Sequence, residues 1–241
     1  KAWVQAARLR TLPLSLSGII VGTGLAAMEG RFDLTLFILA LLTTVGFQVT
    51  SNFANDYGDG VKGTDNEDRI GPARAIQSGS ITKESLKKGI IISIIISMLI
   101  ALALICLAFG PENFVYILLF FLLGLLSIWA AIKYTVGANA YGYRGMGDLF
   151  VFLFFGLLGV LGSMFLYTQS LNWNAILPAV AIGFLCVAVL NLNNLRDAIS
   201  DKKHGKITMV VKMGFENGKR YHYLLILMAL SCFSLFIWRE N

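Results

Sequence analysis

The chain has 241 residues, of which 56% are hydrophobic and only 14% are charged. Soluble globular domains carry about 25% charged residues, so this composition excludes an ordinary soluble protein and is typical of a membrane protein. The formal net charge of +6 would suit nucleic-acid binding, but the placement of the basic residues excludes that class, as the loops below indicate.

Seven apolar stretches follow one another along the chain, each close to the ~20 residues that a helix needs to cross a bilayer. They are predicted at residues 12–28, 34–53, 90–109, 114–132, 149–168, 175–192 and 223–238. A cleaved signal peptide does not explain the first stretch, because the same pattern recurs six more times. The sequence therefore predicts an all-α fold, a polytopic bundle of transmembrane helices.

The loops between these spans alternate in length and in charge. Three short loops contain one basic residue between them: 28–33, 110–113 and 169–174. The N-terminal segment and three long loops contain 18 of the 20 Lys and Arg residues, the loops being 54–89, 133–148 and 193–222. The positive-inside rule therefore predicts a cytoplasmic N-terminus and cytoplasmic long loops, in a bacterial inner membrane. This bias explains the positive charge without nucleic acid.

Two rows of amide and carboxylate side chains lie at the cytoplasmic ends of the second and sixth spans. The first row is Asn55, Asp56 and Asp59, and the second is Asn193, Asp197 and Asp201. Positions three or four apart share a helix face, so each row is expected to point one way. Carboxylates in a row repel one another unless a cation lies between them, and Mg²⁺ prefers carboxylate and phosphate oxygens. The rows therefore predict a site for Mg²⁺ and a diphosphate.

The two rows are separated by four spans, so each lies at the end of the second helix of a four-helix unit. This recurrence predicts one domain over 1–241 built from two repeats, about 1–135 and about 140–241, with the site between them. The chain begins at Lys1 rather than Met and stops directly after its seventh span. We therefore expect a portion of a longer protein, truncated at its C-terminus.

Several segments carry a resemblance to a known family. Residues 55–65 read NDYGDGVKGTD, residues 68–72 read DRIGP and residues 74–79 read RAIQSG. They resemble the first motif of the UbiA superfamily of intramembrane prenyltransferases, and the second aspartate row is similar to its second motif. RLRTLP at 8–13, KYT at 133–135 and YGYRGMGD at 141–148 are further matches. Family members typically have nine helices around a central cavity, so the resemblance implies that seven of nine spans are visible.

The resemblance also implies roles for individual residues. It implies that Mg²⁺ and the prenyl diphosphate are held by Asn55, Asp59, Asn193, Asp197 and Asp201, with Asp56 adjoining. Basic candidates for the diphosphate oxygens are Arg69, Arg74, Arg196, Lys202 and Lys133. Arg suits bidentate contacts and Lys acts as a point charge. Each could instead be a basic residue that merely reaches the membrane surface.

The tyrosine-rich loop and its flanks supply the remaining candidates. Tyr134, Tyr141 and Tyr143 are predicted to shield an allylic cation or to orient the acceptor, unless they are only interfacial tyrosines. Arg144 and Asp148 join this group, although Asp148 could merely cap the fifth span.

Within the superfamily, these motifs most resemble those of the enzymes that prenylate 1,4-dihydroxy-2-naphthoate in menaquinone synthesis. This likeness implies transfer of a polyprenyl group from its diphosphate to that acceptor with loss of CO₂, beside membrane lipid. Other acceptors of the superfamily, such as 4-hydroxybenzoate or homogentisate, stay open. Two other classes of membrane protein also carry functional carboxylates in a helical bundle. A cation-coupled transporter places its carboxylates near the midplane of the membrane, and the contiguous motif of a CDP-alcohol phosphotransferase is absent.

Overall fold

The computed structural model describes residues 1–64 and 74–240. Regular structure within these ranges is helical, without any strand. Seven of the described helices are long and apolar enough to cross a membrane, which confirms the predicted all-α bundle. The spans are α2 (Leu12–Met28), α3 (Leu34–Lys62), α4 (Lys83–Phe109), α5 (Phe114–Lys133), α6 (Gly147–Thr168), α7 (Ile176–Lys203) and α9 (Phe215–Glu240). The short helix α1 (Ala2–Ala7) precedes α2, and the short helix α8 (Met209–Met213) lies between α7 and α9.

The two helices that carry the aspartate rows are longer than the apolar stretches predicted. Helix α3 begins where the Asp33 carboxylate accepts a hydrogen bond from Leu36 N (2.9 Å), and it continues nine residues beyond residue 53. It ends at Gly63, whose φ of 72° is in the left-handed region that favours glycine. Helix α7 likewise continues to Lys203. Both rows therefore lie on helical backbone, at the ends of spans.

Glycines let the backbones of α2, α6 and α7 approach closely. A Cβ added to Gly156 of α6 would lie 2.5 Å from the Cα of Gly183 in α7, so a side chain there would push the helices apart. The middle of α6, Phe152–Gly162, is a π-helix. Such wide turns are rare and recur at functional sites, and this one faces the cavity described below.

Helix α3 packs most extensively on α4, and α7 packs about equally on α6 and on α9. The division into two four-helix units and the total of nine spans stay predictions. Near the N-terminus, Ala6 and Ala7 of α1 are buried against Phe53 of α3 and Leu86 of α4. Helix α1 thereby rests on the end of α3 that carries the first aspartate row.

Candidate functional site

The Asp59 carboxylate lies at the centre of a chain of hydrogen bonds. The hydroxyl of Tyr143 donates to Asp59 Oδ1 (2.8 Å), and 2.6 Å separates Tyr143 Oη from Thr64 Oγ1. A phenol has one hydrogen, so Thr64 donates to Tyr143. Burial and the Asp59 carboxylate raise the pKa of Tyr143, which keeps its hydroxyl protonated. The loop carrying Tyr143 therefore orients one carboxylate of the first row.

Asn55 lies one turn before Asp59 on α3, and its side chain contacts the loop that follows α5. Its Oδ1 accepts a hydrogen bond from Thr135 Oγ1 (3.3 Å), and the same hydroxyl is 3.1 Å from the carbonyl of Ala54. The Asn55 side chain also lines the cavity described below. Its amide oxygen is thus held where the first row meets the cavity.

Asp56 has a different environment from its neighbours in the row. Its carboxylate forms an ion pair with Arg8, lies 3.7 Å from Arg74 Nε, and accepts a hydrogen bond from Ala75 N (3.4 Å). Its side chain is 1% exposed. The structure therefore brings Asp56 and Arg74 together with Arg8 of the N-terminal segment, whereas the partner of Asp59 is Tyr143. Three positions on a helix differ by about 60° in direction, which separates these partners.

The second row lies on the last turns of α7. Arg196 donates two hydrogen bonds to Asp197, from Nε to Oδ1 (2.7 Å) and from Nη2 to Oδ2 (2.6 Å). Asp201 is buried, whereas Asn193 is exposed and its neighbour Asn194 is buried. With 100° per residue, Asn194 shares the face of Leu190, which lines the cavity. Asn194 is thus an amide that the spacing argument overlooked.

Lys206 lies between the two rows, although the sequence argument did not select it. Its ammonium is 4.0 Å from Asp59 Oδ2 and 3.8 Å from Asp201 Oδ1. Burial lowers the pKa of Lys206, but Asp59 and other neighbouring groups raise it by more. The pKa is therefore above its ordinary value. The two carboxylate oxygens share this ammonium, so they are at most about 8 Å apart. The sequence feature that could have indicated this position is Gly205, which lets the chain turn back after α7.

The remaining predicted residues are distributed around this centre. Tyr134 and Tyr141 line the cavity with ring centroids 5.4 Å apart, and the Tyr141 hydroxyl donates to Ala130 O (2.8 Å). Asp148 is buried and accepts a hydrogen bond from Tyr221. Lys133, Arg144 and Lys202 are exposed, with Arg144 bonded to Asn139. Arg69 lies outside the described residues.

An apolar cavity of about 330 Å³ extends from Asn55 and Tyr134 into the bundle. Near the rows it is lined by polar groups from α3, among them Gln48, Ser51 and Asn55, while Ala40 and Phe120 lie among the residues toward the other end. The fifteen residues from Ala40 to Asn55 correspond to about 22 Å along a helix. The cavity can therefore receive a long apolar group whose polar head stays at the rows.

The protein oxygens here are too few to enclose Mg²⁺ by themselves, but they suit Mg²⁺ that is also bound to a diphosphate. Among the residues that the structure describes, no three His, Cys, Asp or Glu side chains converge as a metal site. Mg²⁺ usually takes one or two carboxylates and keeps water or phosphate oxygens for its other positions. Asp59 and Asp201 supply two carboxylates from separate helices, and Asn55 supplies an amide oxygen. This donor set fits the predicted ion.

The chain belongs to the UbiA prenyltransferase family, whose model matches residues 15–240. The 1,4-dihydroxy-2-naphthoate octaprenyltransferase of Escherichia coli (strain K12) is 49% identical, over 98% of this chain and 76% of that protein. The protein with the same name from Mycobacterium tuberculosis is 36% identical, over 94% of this chain and 75% of that protein.

A solved structure of a UbiA homolog from Archaeoglobus fulgidus, bound to DMAPP and Mg²⁺, is similar in fold. Its TM-score is 0.74 at 16% sequence identity, over all of this chain and 79% of that one. This likeness shows the fold, and the family places the chain among membrane prenyltransferases.

Proposed function

We propose that this protein transfers a polyprenyl group from its diphosphate to 1,4-dihydroxy-2-naphthoate, with loss of CO₂, to give demethylmenaquinol, the two-electron-reduced form of demethylmenaquinone. One observation carries the proposal: Asp59 and Asp201, on separate helices, face the same Lys206 ammonium, and Asn55, one turn before Asp59, lines an apolar cavity. The names of relatives that are 49% and 36% identical support the choice of acceptor.

In this proposal Asn55, Asp59, Asp197 and Asp201 hold Mg²⁺ and the prenyl diphosphate. Mg²⁺ bound to these oxygens supplies positive charge for the departing diphosphate. Lys206 adds a further positive charge beside the same carboxylates. Tyr143 fixes the orientation of Asp59, because its protonated hydroxyl donates to Oδ1 and leaves Oδ2 facing Lys206.

The cavity holds the isoprenoid and excludes water from its reactive end. The bond between the first prenyl carbon and oxygen breaks, and its electron pair leaves with the diphosphate. The rings of Tyr134 and Tyr141 line the cavity beside Asn55, where π-electrons stabilise an allylic cation. The acceptor carbon that bears the carboxylate attacks this cation. The carbon–carboxylate bond then breaks, and its electron pair restores the aromatic ring as CO₂ leaves.

The charge distribution supports a site that opens on the cytoplasmic side of a bacterial inner membrane. Both rows lie at the ends of spans that lead into the basic long loops. The soluble acceptor and the diphosphate head would arrive from that side, while the prenyl tail enters from the lipid. Two pseudo-repeated four-helix units, each supplying one row, would then enclose the cavity between them.

The proposal is tested with purified protein, a labelled polyprenyl diphosphate and several aromatic acceptors, with Mg²⁺ or with a chelator. Expected results are Mg²⁺-dependent prenylation and CO₂ release with 1,4-dihydroxy-2-naphthoate. Asp59→Asn and Asp201→Asn should each lose at least about 100-fold in rate, as removal of a charge-stabilising group commonly does. The exposed Glu216→Gln is the matched control. Equal activity with 4-hydroxybenzoate, or full activity of both Asp variants, would refute the assignment.

A further inference from the structure

Lys206 is placed by the backbone around it and does not simply reach out from the surface. Its own N–H donates to Asp201 O (2.8 Å), and the next residue, Ile207, donates its N–H to Tyr143 O (3.1 Å). Gly205, with φ of 72°, allows the turn. The side chain is only 14% exposed. The segment after α7 therefore folds back so that one ammonium enters the space between the rows.

The same segment also holds the loop that orients Asp59. Lys212 Nζ donates to Arg144 O (2.7 Å), and the ring of Tyr143 lies 5.7 Å from the Lys206 ammonium. Tyr143 in turn donates to Asp59. Lys206, Tyr143 and both carboxylates thus form one connected unit across two helices and two loops.

We propose that Lys206 is a positioning residue that holds the two aspartate rows together in the metal-free site, and that Mg²⁺ competes with it for Asp59 and Asp201. This inference rests on the proposed function, because the competing ion is the Mg²⁺ of that site. It goes further in assigning the lysine a role before substrate or metal binds.

Electrostatic repulsion between the two carboxylates gives Lys206 this role. Asp59 and Asp201 are both largely buried and at most about 8 Å apart, so without a cation between them their repulsion is weakly screened. An ammonium 3.8–4.0 Å from each one balances that charge. Mg²⁺ carries twice the charge and binds the same oxygens. The ammonium then has the oxygens of the incoming diphosphate as alternative partners.

The test is thermal unfolding of the purified protein in chelator and across a Mg²⁺ titration, without substrate. Lys206→Met should lower the melting temperature in chelator by roughly 5–10 °C, since it removes one partner of a buried ionic cluster. Its Mg²⁺-induced rise should be larger than that of the unsubstituted protein, with half-saturation at about tenfold lower Mg²⁺. Lys206→Arg should stay near the unsubstituted values. The matched control is Lys88→Met, the same charge change at an exposed position of α4.

A second variant separates charge balance from packing. In Lys206→Met combined with Asp59→Asn, the cation and one repelling carboxylate are both removed, so the melting temperature in chelator should recover at least half of the loss. Failure to recover, or equal destabilisation of Lys206→Met with and without Mg²⁺, would overturn the inference. If Lys206→Met alone does not fold, the double variant decides in the same way. Absence of any Mg²⁺ effect on the unsubstituted protein would instead refute the proposed metal site.

Discussion

The ion cluster of Arg8, Asp56 and Arg74 gives the sharpest prediction for stability. The Asp56 side chain is 1% exposed and that of Arg8 is 11% exposed. Arg8 has φ of 50°, a left-handed conformation that non-glycine residues rarely adopt, at the end of α1. We therefore expect Asp56 to fasten the N-terminal segment and the segment that begins at Arg74 onto α3, and Asp56→Asn to release both.

The expected cost follows from burial. Removal of one member of a buried ion pair costs about 3–5 kcal/mol, because the other charge is left uncompensated. In Asp56→Asn two arginines lose their common carboxylate, while Ala75 N can still donate to the amide oxygen. We expect a loss near 3 kcal/mol in the free energy of unfolding. For a chain of this size that corresponds to a melting temperature lower by about 6–12 °C.

The assay is thermal unfolding in detergent, followed by the fluorescence of Trp3, which packs edge-on against Phe53 at 5.5 Å. Trp129, Trp173 and Trp238 are replaced by Phe so that the signal reports α1 alone. Asp33→Asn is the matched control. It is the same substitution at the exposed first end of α3, where Asn caps a helix as well as Asp does.

Asp56→Asn should leave the Mg²⁺ concentration for half-maximal activity unchanged at temperatures where the variant is folded. The combination of Arg8→Met and Asp56→Asn should cost less than the sum of the single changes. An unchanged melting temperature, together with a large shift in the Mg²⁺ requirement, would refute the anchoring role and return Asp56 to the metal site.

Three further predictions concern the hydrogen-bond chain and the cavity. Tyr143→Phe removes the donor to Asp59, so the Mg²⁺ concentration for half-maximal activity should rise about tenfold; the exposed Tyr223→Phe is the control, and equal values would contradict this role. The raised pKa of Tyr143 makes the folded state hold its proton more tightly than the unfolded state. Stability should therefore decline as pH rises above 10.0, the ordinary tyrosine value, and Tyr143→Phe should decline less in thermal unfolding between pH 8 and pH 11. An identical decline would refute the assignment. Gly124→Leu fills the cavity, where a new Cβ meets nothing nearer than 3.7 Å, and should raise the KM for polyprenyl diphosphate at least about tenfold. Gly24→Leu, at an exposed position of α2 with open space around it, should not change that KM.

The sequence alone determined the membrane architecture and the position of the two rows along it. Apolar stretches of bilayer length indicate helices whatever their neighbours are, because the backbone must satisfy its own hydrogen bonds in lipid. The prediction of seven helical spans is confirmed for this reason. The predicted spans end too early at α3 and α7. The apolar pattern stops at residues 53 and 192, whereas both helices continue through residues with polar side chains.

Only the tertiary structure decided which charges face one another. Spacing placed Asp56 and Asp59 on similar sides of α3, but the partners that distinguish them, Arg8 and Tyr143, come from segments 48 and 84 residues away. Lys206 looked like any other basic loop residue until the turn at Gly205 placed it between Asp59 and Asp201. Periodicity reports the direction of a side chain on its own helix. The electrostatic role of that side chain depends on what other helices and loops bring to it, and long-range packing alone sets that.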